Sequence, residues 1–326
     1  MRSRPRLVVA LGGNALLRRG EPPTAKAQRE NVERAVGALC GIAGRCELVL
    51  THGNGPQVGL LALQADAYDE MPPPPLDVLG AESEGWIGYL IEQSLRNALP
   101  GRAVATVLTQ IVVAADDPAF AAPSKPIGPV YPEARARALA EEHGWTVARD
   151  GEWFRRVVPS PDPLEIVELE TIEALLAEGV LPICAGGGGI PVLRGPDGRL
   201  RGSEAVIDKD LAAELLARSL GATRLLLLTD VPAVAWDGRP IRHAHPDDLR
   251  RLAFAPGSMG PKVEAACRFV ERTGGRAAIG ALEDARDVLA GTAGTQVSSR
   301  GAAGWSRRRP ASRAAAPRRA VPGSRA

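Results

Sequence analysis

The sequence predicts an α/β fold: a mostly parallel sheet covered by helices, with a small subdomain protruding from it. Three observations carry this expectation. Short apolar runs alternate with helical segments, the pattern of repeated βαβ units. Several of those runs end at glycine or polar loops that open into helices, and open sheets of this kind collect ligands at the carboxyl ends of their strands. One stretch, residues 116–163, breaks the alternation with eight prolines and reads as an excursion from the sheet, a lid or small subdomain.

Taken in order, strands are expected at Arg6–Leu11, Glu47–Thr51, Ala103–Leu108, Val180–Cys184, Arg224–Thr229 and Arg276–Ile279. Helices are expected at Thr24–Ala43, Pro56–Asp66, Ala81–Ala98, Ile166–Glu178, Lys209–Leu220, Pro261–Thr273 and Leu282–Leu289. Two helix starts carry their own signals: Asp208 suits the N-cap before Lys209, and Pro261 suits a first helical position.

Composition narrows the class. The 326 residues are 45% hydrophobic and 24% charged, an ordinary globular balance that excludes fibrous and wholly disordered chains. No apolar run reaches the roughly 18 residues of a membrane helix, so no membrane partner is expected and the location is read as cytoplasmic. The start, MRSRPRLVVALGG, mimics a signal peptide, but Gly12, Gly13 and Asn14 interrupt the apolar run. Cys40, Cys46, Cys184 and Cys267 form no CxxC pair and read as buried free thiols. Residues 298–326 contain eight arginines and no acid, so the formal charge of +2 leaves the preceding body at −6. This tail is expected to be disordered, and it is the one segment through which nucleic acid could be bound. Only four of the 40 basic residues are lysines: Lys26, Lys125, Lys209 and Lys262. A chain that uses arginine for generic charge and keeps lysine in three glycine or proline loops points to a need for a compact ammonium there.

Three glycine-rich loops follow expected strands: Gly12-Gly13-Asn14, His52-Gly53-Asn54-Gly55 and Ala185-Gly186-Gly187-Gly188-Gly189. Such loops bring backbone N–H groups close to an anion, and a helix opening behind them adds its positive dipole end, so phosphate or carboxylate binding is expected. Neither GxGxxG with a ribose-binding acid nor GxxxxGK[ST] occurs, which weighs against dinucleotide oxidoreductases and P-loop hydrolases. GxSxG and HExxH are absent too, and His243-Ala244-His245 reads as a solvent loop. His52 reads as a residue that orients its loop. Lys209 sits in the first turn of its helix, where a cation opposes the dipole unless an anion lies in front of it. Lys262 repeats that arrangement after Ser258-Met259-Gly260-Pro261. Phosphoryl transfer needs this inventory, because it runs on alignment and on neutralising charge over the moving phosphoryl oxygens.

At these residues the sequence resembles the carbamate kinase family of the amino acid kinase superfamily. The matching stretches, in order, are VVALGGNAL, THGNGPQVG, VATVLTQIVV, KPIGP, RRVVPSPDP, CAGGGGIPV, EAVIDKD and FAPGSMGPKVEAA, and they cover residues 6–297 nearly without gaps. The resemblance implies an open αβα sandwich of about eight strands, a kinase domain over 1–297 with its lid at about 116–163, and a homodimer. It also implies reversible phosphoryl exchange between ATP and carbamate, giving ADP and carbamoyl phosphate with Mg²⁺, run toward ATP in arginine catabolism. Carried over by position, Gly12, Gly13, Asn14, Gly53, Asn54, Gly55, Gly187 and Gly188 would hold the carbamate and phosphoryl group. Lys209 and Lys262 would neutralise phosphoryl charge, Asp210 would hold them in place, and Lys125 would reach over from the lid. Thr229, Asp230 and Met259, with the two lysines, would line the nucleotide pocket. Sibling kinases of acetylglutamate, aspartate or nucleoside monophosphates share part of this pattern; KPIGP and the excursion argue against them. A non-catalytic sensor, or a variant tethered to nucleic acid by its tail, would be supported by salt-sensitive DNA or RNA retention.

Overall fold

Strand β1 (Arg6–Leu11) is one of the two central strands of the chain's main sheet, and its side chains divide it between two cores. Val8 and Ala10 point into one apolar cluster, Leu7, Val9 and Leu11 into the other, as the two-residue period of a strand buried on both faces requires. A computed structural model describes residues 4–18, 21–22, 24–44, 46–68, 70, 72–252, 254 and 259–300, with the side chains of Asn14 and Ala15 outside that description. The sequence expectation for the basic tail therefore lies outside the described residues from position 301 on.

Elements are numbered in chain order. β1 pairs in parallel with β2 (Glu47–His52) on one side and β12 (Arg224–Thr229) on the other. Beyond β2 lie β9 (Leu181–Cys184) and β3 (Val104–Val107); beyond β12 lie β16 (Arg276–Ala281), β17 (Thr295–Val297) and β15 (His243–Ala244). Six of the eight strands are mutually parallel; β17 runs against β16, and β15 runs parallel to β17. Helices α2 (Ala25–Ala43), α4 (Leu76–Ala98) and α10 (Ala285–Ala290) cover one face. The other is covered by α6 (Leu169–Ala177), α7 (Lys209–Ser219), α8 (Pro246–Arg250) and α9 (Met259–Thr273). The four-residue α1 (Gly13–Leu16) and α3 (Gly55–Asp66) open directly at the carboxyl ends of β1 and β2.

Three smaller sheets depart from the expected alternation. β4 (Gln110–Val113), β8 (Glu165–Ile166), β10 (Ile190–Arg194) and β11 (Leu200–Gly202) form one of four strands, and β13 (Ala235–Trp236) with β14 (Arg239–Pro240) forms a hairpin. The proline-rich excursion builds its own antiparallel sheet, β5 (Lys125–Tyr131), β7 (Trp153–Val158) and β6 (Thr146–Asp150), backed by α5 (Glu133–His143).

Two expected helices need correction. The helix expected from Ala81 starts at Leu76, because the proline run ends at Pro75, which serves as N-cap and leaves the following residues free to wind. The helix expected over Ile166–Glu178 covers only Leu169–Ala177: Ile166 belongs to β8 and pairs with Ile111, and Glu178 caps the end. Of the cysteines, all of which are free, Cys46, Cys184 and Cys267 are buried while Cys40 is half-buried on α2.

Candidate active site

The first two glycine loops meet side by side because β1 and β2 are neighbours in register, Leu11 opposite His52. Gly12 N–H donates to the Leu228 carbonyl at 2.9 Å and Gly53 N–H to the Leu11 carbonyl at 3.0 Å, which knits the loops across three strand ends. A Cβ on Gly53 would stand 3.0 Å from Gly13 N and 3.1 Å from Lys209 Cδ, so glycine is required there by the close approach of both a loop and a lysine stem. Gly12 abuts the second half of the sheet: its Cβ would lie 3.5 Å from Thr229 Cα. Gly55 begins α3 with open space around it. Asn14 lies in α1.

The third loop departs from the expectation that a helix opens behind it. It forms a 3-10 turn over Gly186–Gly188 and then enters β10, with Ala185 at φ 51° and Gly187, Gly188 and Gly189 at φ 69°, 105° and 79°. Its left-handed backbone packs against the second loop so tightly that a Cβ on Gly187 would fall 2.1 Å from Asn54 Nδ2. Asn54 in turn donates to Ser83 Oγ at 2.8 Å, and the next residue, Glu84, accepts from Gly186 N–H at 2.7 Å and Thr109 N–H at 3.3 Å. One turn of α4 thus braces two loops. Burial raises the Glu84 carboxyl to about 8 even though both amides favour its charged form. His52 is buried beside them, lowered to about 4 by burial, and is a neutral imidazole whose Nδ1 lies 3.2 Å from the Gly53 carbonyl and whose Nε2 has no partner.

Helix α7 brings in the charge. Asp208 caps it, its Oδ1 accepting from Asp210 N–H at 2.9 Å. Asp210 points inward and holds two ammonium groups with one carboxylate: Lys209 Nζ at 2.6 Å from Oδ1 and Lys262 Nζ at 3.1 Å from Oδ2. Burial alone would raise Asp210, but the two lysines outweigh it and hold the group at about 2. Burial lowers Lys209, while Lys262, also buried, ends raised because Asp210 and Asp208 outweigh that burial. Lys262 reaches this point from the first turn of α9, on a different face-covering helix. Lys125 arrives from the subdomain, at the start of β5, and pairs with the second oxygen of Asp208 at 2.5 Å. Thr229 closes β12 and donates to Asp230 Oδ1 at 3.2 Å. Met259 opens α9 and packs on the same core as Phe254, which meets Trp236 edge-on at 5.7 Å.

The fold therefore brings Gly12, Gly13, Gly53, Asn54, Gly187, Lys209, Asp210 and Lys262 to one end of the sheet, with Lys125 above them. Sequence reasoning missed Ser83 and Glu84. Ser83 sits on the apolar stripe of α4 with Leu79 and Ile87, and a small polar residue on such a stripe is a readable signal. His243-Ala244-His245 is not an open loop: His243 and Ala244 form β15, and His245 caps α8 by accepting from Asp247 N–H at 3.2 Å.

An open doubly wound sheet with glycine loops and paired lysines at its carboxyl edge describes a phosphotransferase of the amino acid kinase type, and the profile of the amino acid kinase family matches residues 5–280. The chain is 52% identical to the carbamate kinase of Haemophilus influenzae over 90% of its own length and 97% of that protein. It is 54% identical to that of Escherichia coli K12 over 90% and 99%. Among solved structures it resembles the Giardia lamblia carbamate kinase bound to citric acid (TM-score 0.86, 41% identity, 91% and 99% covered). It resembles the same enzyme bound to AMP-PNP with a TM-score of 0.83 at 40% identity, again over 91% and 99% of the two chains. The chain belongs to the amino acid kinase family and, within it, to the carbamate kinases.

Proposed function

We propose that this chain catalyses reversible transfer of a phosphoryl group between ATP and carbamate, giving ADP and carbamoyl phosphate, run in the cell toward ATP in arginine catabolism. The observation that carries the reading is Asp210, one buried carboxylate aligning two lysines from different helices against the glycine loops. Carbamate is already an anionic oxygen nucleophile, so the reaction needs no general base. What it needs is a site where two anions approach each other.

The residues divide that work. Gly12, Gly13, Asn14, Gly53, Asn54, Gly55, Gly187 and Gly188 form the cradle that holds the carbamate and the moving phosphoryl group; Gly12, Gly53 and Gly188 serve by shaping it, since their own N–H groups are bonded to the Leu228, Leu11 and Ala185 carbonyls. Lys209 and Lys262 offset charge on the phosphoryl oxygens as it spreads toward donor and acceptor. Asp210 fixes both ammonium groups, so little reorganisation is needed when the charge moves. Lys125 closes over the carbamoyl end from the lid. Thr229, Asp230 and Met259, at the ends of β12 and α9, line the nucleotide side.

Among the described residues no group of three or more His, Cys, Asp or Glu side chains is spaced to hold a metal ion, and Asp208 and Asp210 are engaged with lysines. That donor set fits Mg²⁺ entering on the nucleotide phosphates as part of the substrate, where it screens their charge. We assign the working form as a homodimer in the cytoplasm. Supporting the dimer, β3 is an edge of the main sheet, with Leu108 beside it and Tyr89 and Val78 of α4 all exposed. No helix among the described residues is long and apolar enough to cross a membrane.

An acceptor panel tests the reading. With ATP and Mg²⁺, ADP release is expected with carbamate and not with acetylglutamate, aspartate or a nucleoside monophosphate; release with one of those instead would reassign the acceptor.

A further inference from the structure

Lys125 is the lid's charged contribution to the site, and its position is set by a residue outside the catalytic set assigned above. Asp208 divides its carboxylate: Oδ1 caps α7 through Asp210 N–H at 2.9 Å, and Oδ2 takes Lys125 Nζ at 2.5 Å. The carboxylate is nearly buried, its side chain 10% exposed, so the pair is shielded from the screening that weakens surface ion pairs. The backbone around it is stitched the same way. Lys125 stands opposite Val158 in the β5–β7 ladder, and Val206, two residues before Asp208, donates its N–H to the Pro159 carbonyl at 3.0 Å. The root of the lid and the approach to α7 therefore move together.

We propose that Asp208 is a positioning residue: its carboxylate anchors Lys125 at the start of α7 and so fixes where the lid lysine meets the carbamoyl phosphate. This rests on the assignment of Lys125 to that substrate. The alternative has the opposite sign. An acidic group beside an anion site repels the anion, so an Asp208 without a positioning role would only weaken binding, and its neutralisation would improve affinity.

The experiment compares the full chain with Asp208→Asn, Lys125→Ala and the double variant in ATP formation from carbamoyl phosphate and Mg²⁺-ADP. Asn is as good an N-cap as Asp, so Asp208→Asn keeps the start of α7, and its thermal midpoint should fall only by what the lost Lys125 ion pair contributes; Asp208→Ser, which also caps, serves if the Asn variant fails to fold. The expected result is a KM for carbamoyl phosphate raised about tenfold in Asp208→Asn, with the KM for ADP unmoved. Adding Lys125→Ala should then produce little further loss, the non-additivity of residues acting as a pair. A lowered or unchanged KM in Asp208→Asn, or effects that simply multiply, overturns the proposal. If Lys125→Ala alone is silent, the assignment of Lys125 fails and the proposal falls with it. That outcome is distinguishable, because it is read on a different variant.

Discussion

Asp210 has its stabilising partners on two separate helices, and that geometry makes its removal more damaging than the loss of either lysine's charge alone. Lys209→Ala and Lys262→Ala should each lower turnover by about 10²-fold or more, the size seen when one preorganised donor is lost. Asp210→Ala should also destabilise, because two buried ammonium groups lose their counter-charge. Single-turnover rates and thermal melts separate the two effects. The titrating groups predict a stability profile. His52 is lowered from 6.5 to about 4, so the folded state resists protonation and stability falls as pH drops through that interval. Between pH 7 and 5 this amounts to about 2 kcal/mol, and melts of His52→Gln should show a shallower acid limb. Asp210, held at about 2 against 3.8, adds a loss only below about pH 4. Glu84, raised to about 8, acts in the other direction: its contribution is present at low pH and is lost as pH rises from 4.5 toward 8. The glycine and lysine motifs were legible in the sequence because their chemistry is local. Glu84 was not, since an acid in a helix reads as a solvated face until the third loop is seen presenting the Gly186 amide to it and the turn after β3 presenting that of Thr109.

The coupling between lid and loop runs through α3. The helix begins at the second glycine loop and carries Gly59 against Gly128 of β5 so closely that a Cβ on Gly59 would lie 2.7 Å from Gly128 Cα. Val58, Leu76, Leu79, Ile127 and Val158 form a small core beneath this crossing. Gly59→Ala should therefore push β5 outward, destabilise by about 1–3 kcal/mol as an overpacked contact does, and raise the KM for carbamoyl phosphate. A normal KM would mean that the lid seats itself without this contact. Elements with regular periodicity were readable, and β1 and β12 fall where their apolar runs placed them. The second sheet was not, because the strand expected at Ala103–Leu108 took up the first half of VATVLTQIVV and left Gln110–Val113 without an element of its own. The chain turns at Leu108–Thr109, where Thr109 O–H donates to the Val107 carbonyl and its Oγ accepts Ala185 N–H, and the two halves enter different sheets. The lid's strands and α5 were hidden by prolines, which sit at the edges of that small sheet and at the N-cap of α5.

At the scale of the molecule, the main sheet places glycine loops, lysines and nucleotide-side residues at the carboxyl ends of its strands and has β3 as a lateral edge, with Leu108 exposed beside it. If that edge and α4 meet a second copy, sedimentation should give twice the 34.2 kDa chain mass, and Tyr89→Glu with Leu108→Glu should shift it toward monomer; a monomeric wild type would refute the assembly. Cutting after Arg300 should leave activity intact, because among the described residues Val297 in β17 is the last strand residue packed into the core. The central claim is the reaction. Purified protein mixed with ADP, Mg²⁺ and carbamoyl phosphate, followed by ATP appearance against a blank for spontaneous carbamoyl phosphate decay, tests it most directly. Rapid ATP formation that disappears in Lys209→Ala is the expected result. A folded wild-type protein that forms no ATP from carbamoyl phosphate would contradict the account.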